Sequence, residues 1–145
     1  MKKNNENRFD VIIAGGGMIG VSMALAISSF GLKIGLVEKV ERDENNQPSF
    51  DDRSTALSRS SQNMFEALGI WEKIRQASTP IRAIHVSDKG RFGFSHISAK
   101  EEKVEALGYV VINRVLGSVL LEELESKNNI TVFCPETIIS IDEKE

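Results

Sequence analysis

From Phe9 to Ala14 the chain is a short β-branched run in which apolar and polar positions do not alternate. That is the pattern of a strand buried on both faces, as in a parallel sheet. Gly15-Gly16-Gly17 interrupts it. Small or apolar residues then run from Met18 to Phe30, with Gly20, Ala24 and Ile27 at helical spacing and Gly31 where a helix stop belongs. Lys33 to Glu38 reads as a second strand. Strand, glycine turn, helix and strand predict a βαβ unit over residues 8–38, whose crossover is almost always right-handed.

Residues 39–52 are polar and turn-rich, a surface loop with no core of its own. Helical spacing returns at Met64, Phe65 and Leu68, then at Ile70, Trp71 and Ile74, predicting two short helices hinged near Gly69 and closed by Pro80. Ile81 to Ser87 is strand-like, Asp88-Lys89-Gly90 a hairpin-type turn, and Arg91 to Ile97 its return, with Phe92, Phe94 and His96 on one face. Gly108 to Ile112 is a further strand. Arg114 to Ser126 carries apolar residues at 115, 116, 119, 120 and 124, an amphipathic helix ended by Asn128-Asn129. Ile130 to Phe133 and Thr137 to Ile141 complete the strands. The expected fold class is α/β: a Rossmann-like parallel sheet with the start of an inserted β-rich domain. Its strands fall at about 81–112, and the return to the first domain is at about 114–145.

Composition narrows the class without naming a function. Of 145 residues, 41% are hydrophobic and 27% charged, close to the averages for soluble globular chains. Such a chain builds a core, so disordered, collagen-like and disulfide-framework readings fall away. Eighteen basic against twenty-one acidic residues leave a net charge of −3, which gives no electrostatic reason for a nucleic-acid partner. Cys134 is the single cysteine, so no internal disulfide forms. Residues 1–8 are polar and show no signal-peptide core, and glycines and serines break the apolar stretch from Val11 to Phe30. The expectation is a cytoplasmic chain.

The chemistry begins with Gly15-Gly16-Gly17-Met18-Ile19-Gly20, a G-x-G-x-x-G between a strand and a helix. Gly15 permits the tight turn, Gly17 lets a diphosphate approach the backbone, and Gly20 lets helix and strand pack closely. The helix N-terminus and its dipole favour the phosphates. Glu38 ends the second strand, where a carboxylate accepts hydrogen bonds from ribose hydroxyls and repels a 2′-phosphate, disfavouring NADP at this site. Together these residues indicate an adenine dinucleotide but do not separate FAD from NAD. His85 and His96 stand on predicted strands without a partnering carboxylate or nucleophile and are read as packing or surface residues. Two histidines and one cysteine make no zinc spacing. Cys134 is expected to be a small buried apolar residue, and Trp71 and the phenylalanines to form core.

Phe50-Asp51-Asp52-Arg53-Ser54-Thr55-Ala56-Leu57-Ser58, followed by a helix, resembles a segment of flavin-dependent aromatic hydroxylases. More narrowly it is similar to the ubiquinone-biosynthesis hydroxylases of the 2-polyprenyl-6-methoxyphenol hydroxylase family. Their Asp-x-Arg-x-x-Ala-Leu pattern is matched by Asp51, Arg53, Ala56 and Leu57. The likeness continues through Leu68-Gly69-Ile70-Trp71, Ile84 to Asp88 and Gly93-Phe94, and on to Arg114 and the leucines of its helix.

This resemblance implies FAD as the cofactor and NAD(P)H as a transient reductant without a glycine fingerprint of its own. Reduced flavin would deliver oxygen to the ring of a polyprenyl phenol. It implies that Arg53 reaches the ribityl–diphosphate region with a permanently charged, paired-donor guanidinium. The alternative is a surface arginine paired with Asp51 or Asp52. Arg114 would be a second FAD-contacting arginine, or else an ordinary helix-surface charge, and Ile138 would offer backbone groups to the adenine. No residue is assigned a catalytic acid or base role. A polyprenyl substrate would imply peripheral contact with the inner membrane or a lipid-carrying complex. The family's later Asp-Gly and Gly-Asp-Ala motifs do not occur, so the chain is expected to be the N-terminal, FAD-binding portion of a longer enzyme. The rivals are another flavoprotein on the same plan, such as a prenyl reductase or halogenase, and a stand-alone dinucleotide-binding module.

Overall fold

A computed structural model describes residues 8–41, 51–90 and 92–143. The polar loop expected over 39–52 falls largely outside them, as does Arg91. The chain forms two compact units, residues 1–51 with 116–145 and residues 52–115.

In the first unit, β1 (Val11–Ala14), helix α1 (Met18–Ser28) and β2 (Ile34–Val37) form the expected βαβ unit. The two strands pair in parallel, with Val11 opposite Ile34 and Ala14 opposite Val37. On the other side of β2 runs β8 (Ile130–Phe133), also parallel, giving the order β1-β2-β8. The middle strand holds the core, with Ile34 and Leu36 fully buried alongside Val21, Ala24 and Leu25 of α1. Burying each large aliphatic side chain contributes about 1.5–3 kcal/mol. Contrary to the sequence expectation, β1 is not buried on both faces. Among the described strands it lies at the edge of this sheet, its burial alternates, and Ile12 is half exposed.

Gly31 follows α1 with φ +73°, as a helix stop requires. A link that the sequence does not announce closes the same corner. The Asn129 amide donates from Nδ2 to the carbonyls of Ser28 (2.8 Å) and Leu32 (2.9 Å), joining the end of α1 to the start of β8. Asn129→Asp removes both donors and sets an anion against two carbonyls. It is expected to cost about 1–3 kcal/mol, read as a lower urea midpoint with an unchanged slope.

The second unit is built on an antiparallel sheet with β7 (Gly108–Ile112) between β3 (Ser54–Ser58) and β4 (Ser78–Ile81). The polar sequence of β3 conceals it. Only Thr55 and Leu57 turn inward, and pairing with the apolar β7 makes it a strand. Helices α2 (Arg59–Ala67) and α3 (Trp71–Gln76) meet at Gly69 as expected. Ser58 caps α2 by accepting from Ser61 N–H at 3.2 Å. Phe65, Ile70, Trp71, Ile74, Tyr109 and Val111 are the core, with Trp71 edge-on to Tyr109 at 4.9 Å.

Pro80 does not close the helical section. It lies inside β4, an edge strand where a missing N–H is tolerated. The single strand expected over Ile81 to Ser87 is two, β4 and then β5 (Ala83–Ser87), with Arg82 between them. The return strand β6 (Phe94–Ser98) leaves Phe92 outside the hairpin. His85 faces His96 across it, and the His85 and Phe94 rings stack at 5.2 Å.

Helix α4 (Asn113–Glu125) starts in the second unit and enters the first at Leu116. It buries Leu116, Val119, Leu120 and Leu124. The strand expected over Thr137 to Ile141 is absent. No described strand pairs there, and Ile139 and Ile141 are almost fully exposed. The phenylalanines also divide: Phe65 is core, whereas Phe30, Phe92 and Phe94 are exposed. No helix among the described residues is long and apolar enough to cross a membrane.

Candidate functional site

The glycine segment turns between β1 and α1 as its spacing requires. Gly15 adopts φ +108°, a backbone state that other residues rarely take, and its N–H continues the sheet to Val37 O at 2.8 Å. Gly17 is the N-cap of α1 in extended geometry. Its carbonyl accepts the first helical bond, from Val21 N–H at 3.0 Å. No side chain caps this end. The first-turn N–H groups therefore keep the capacity and dipole to receive an anion. A Cβ on Gly20 would collide with the Gly15 carbonyl oxygen, so helix and strand meet here at the closest approach a backbone allows. Ile13, Ala14, Gly15, Gly17, Met18, Ile19, Gly20 and Met23 line an open depression of about 440 Å³.

Glu38 follows β2 directly and is 8% exposed. Its carboxylate accepts from Gly16 N–H at 2.6 Å (Oε2) and from Val40 N–H at 2.7 Å (Oε1). Its backbone is held as well: Glu38 N–H donates to Phe133 O at 2.9 Å, and Glu38 O accepts from Glu136 N–H at 2.8 Å. That last bond draws the segment after β8 past the carboxylate. A Cβ on Gly16 would lie 2.8 Å from Glu38 Cβ, so Gly16, a filler position in the glycine pattern, is needed for this latch. Each carboxylate oxygen has accepted one N–H and keeps a second lone pair for a hydroxyl donor.

Ile138 stands in the same unit, half-buried, two residues past the Glu136 bond and on no strand. Any backbone contact it makes to an adenine therefore comes from a loop. Cys134, expected in the core, is half-buried and donates its thiol to Val40 O at 3.2 Å.

Arg53 and Arg114 belong to the second unit and are both exposed. Arg114 Nε donates to Asp52 Oδ1 at 2.9 Å, and the two side chains are 62% and 80% exposed. A pair so open to water contributes little, and Asp52→Asn is expected to change stability by less than about 1 kcal/mol in urea unfolding. Between the arginines lies Asn113, a residue that no sequence motif singles out. It is buried, donates its backbone N–H to Arg53 O at 2.8 Å, and accepts at Oδ1 from the Thr55 hydroxyl at 2.6 Å.

A second depression, about 270 Å³, is lined by Glu72, Arg75, Arg82, Glu105 and Tyr109 among others. The Arg75 guanidinium is held above its ordinary value by its hydrogen bond to Glu105, then by one to Tyr109, with the charges of Glu105 and Glu72 adding. Arg75 pairs with Glu105 at 3.1 Å and with Glu72 at 3.7 Å, so its charge is already partnered within this depression. No cluster of three or more His, Cys, Asp or Glu among the described residues is placed to hold a metal.

A parallel βαβ unit with an uncapped helix N-terminus over a glycine turn, and a buried carboxylate at the end of the next strand, defines a dinucleotide-binding domain. An adenine dinucleotide fits these residues: phosphates at the N–H groups that open α1, and ribose hydroxyls at the spare lone pairs of Glu38. Residues 8–138 match the FAD binding domain family, and the chain belongs to it. It is 28% identical over 132 residues to the ubiquinone hydroxylase UbiL of Rhodospirillum rubrum, covering 91% of this chain and 30% of that protein. To the 3-demethoxyubiquinol 3-hydroxylase of Escherichia coli it is 29% identical over 138 residues, covering 91% of this chain and 34% of the relative. The chain thus spans about a third of the length of these curated relatives. In fold it resembles the crystal structure of p-nitrophenol 4-monooxygenase PnpA from Pseudomonas putida, with a TM-score of 0.71 at 17% identity over 92% of this chain and 33% of that one. FAD, left open against NAD by the glycines and Glu38, is the cofactor of the family.

Proposed function

We propose that this chain is the cofactor-binding portion of an FAD-dependent monooxygenase that hydroxylates a polyprenyl phenol in ubiquinone biosynthesis, with NAD(P)H as reductant and oxygen as co-substrate. The observation that carries the reading is the Gly16–Glu38 latch beside the uncapped start of α1, in a chain of the FAD binding domain family. The names of the relatives support the substrate class.

The chain's own residues bind and orient. Backbone N–H groups of Met18 and Ile19 receive the diphosphate beside Gly15, Gly16, Gly17 and Gly20, and Glu38 accepts from the adenosine ribose. Arg53 and Arg114 supply guanidinium groups to the diphosphate region, and Ile138 offers backbone groups to the adenine. Bound flavin supplies the redox chemistry and oxygen activation. Residues 8–38 with the return at about 114–145 serve the cofactor, and strands at about 81–112 begin the substrate domain. Work on a polyprenyl phenol requires peripheral contact of a cytoplasmic enzyme with the inner membrane or with a lipid-carrying complex.

The test is product formation by the full-length protein supplied with NAD(P)H, isotopically labelled oxygen and a polyprenyl phenol. One labelled oxygen atom on the ring is expected. NAD(P)H consumption with no ring hydroxylation, across a panel of such phenols, would contradict the substrate class.

A further inference from the structure

The second unit carries a two-stranded ribbon with no buried side. β5 and β6 pair with each other and, among the described strands, with no third. Every described residue from Arg82 to Ile97 is exposed. Strand alternation puts Ile84, Val86 and Ile97 on one face, and His85, Phe94 and His96 on the other. Val86 is 56% exposed and Phe94 74%, and Phe92, in the turn between the strands, is exposed completely. Apolar groups thus stand on both faces and at the turn. A protein surface packed on one face would leave the other in water, whereas a medium that surrounds the turn covers both.

Charge points to the same kind of partner. From Arg82 to Lys100 the sequence has one acid, Asp88, against Arg82, Lys89, Arg91 and Lys100. That is a net charge of +3 in a chain whose total is −3. Acids resume at Glu101 and Glu102, at the end of the ribbon away from the turn.

We propose that the β5–β6 turn and the strand ends beside it are the surface by which the protein docks on an anionic lipid bilayer. Phe92, Phe94 and Val86 enter the boundary between headgroups and acyl chains, and Lys89 meets lipid phosphate. The inference rests on the membrane contact proposed above and names the surface that makes it. Insertion is shallow. The open edges of a two-stranded ribbon carry N–H and C=O groups that hydrocarbon cannot satisfy, so the strands stay where water and phosphate still reach them.

The experiment is co-sedimentation of the full-length protein with vesicles of phosphatidylcholine and phosphatidylglycerol, beside vesicles of phosphatidylcholine alone. Preferential binding to the anionic vesicles, weakened by salt, is expected. Phe92→Ser and Lys89→Glu are each expected to weaken that binding about tenfold, with the urea midpoint unchanged. A lowered urea midpoint for Phe92→Ser with vesicle binding intact would place the ring against the rest of the chain and overturn the proposal. Wild-type binding by both variants, or no binding of the wild-type protein to either vesicle, would overturn it too. Hydroxylation of a polyprenyl phenol in detergent separates the two readings. Product without vesicle binding would overturn this surface alone, and vesicle binding without product would contradict the substrate class alone.

Discussion

Gly20→Ala in the full-length protein is expected to abolish FAD retention and to lower the free energy of unfolding by more than about 3 kcal/mol. The added Cβ would overlap the Gly15 carbonyl oxygen and come within 3.0 Å of its carbon. Both neighbours are backbone, so no rotamer change relieves the clash, and α1 has to move away from β1. That movement also displaces the N–H groups that face the depression beside Gly15 and Gly17. Urea unfolding and the flavin absorbance of the purified variant check the two effects separately. A yellow Gly20→Ala protein with a wild-type urea midpoint would show that the close approach is not needed.

The second large effect is expected at Glu38. Alanine there leaves the N–H groups of Gly16 and Val40 without their acceptor, each at a cost of about 1–3 kcal/mol if it stays buried. On the proposed FAD reading it also removes the carboxylate that would receive the ribose, so FAD affinity is expected to fall by about 10–100-fold. Glu38→Gln keeps the shape but offers one acceptor oxygen where the carboxylate offers two, and both losses are expected to be smaller. Equilibrium unfolding and FAD titration, run on both variants, separate the latch from the ligand contact. Intact stability with lost affinity would leave only the ribose contact. Lost stability with intact affinity would leave only the latch.

How much of this is legible in the sequence depends on whether neighbours along the chain or distant partners decide the outcome. The βαβ unit is legible because strand, glycine turn and helix stop each follow from local residues. The hinge at Gly69 and the strand at Gly108–Ile112 are legible on the same grounds. β3 is not, because its polar sequence becomes a strand only against β7. The split between β4 and β5 is hidden too, since it depends on β4 pairing with β7 while β5 pairs with β6. Thr137 to Ile141 has the composition of a strand but no described partner. At the site, spacing alone singles out the glycine pattern and Glu38. The Gly16 latch is not visible, because the pattern treats that position as free and only the fold brings Glu38 against it. Asn113 escapes notice for a similar reason. An asparagine at a strand–helix junction looks like an ordinary helix start, and its bonds to Arg53 and Thr55 join residues far apart in sequence.

The central claim is that the glycine turn, the uncapped start of α1 and Glu38 hold the adenosine–diphosphate half of FAD. The most direct measurement is equilibrium titration of the full-length apoprotein with FAD and, in parallel, with NAD. Stoichiometric, non-covalent FAD binding, much tighter than NAD binding and weakened by Glu38→Ala, is the predicted result. A colourless protein that binds NAD but not FAD would contradict it.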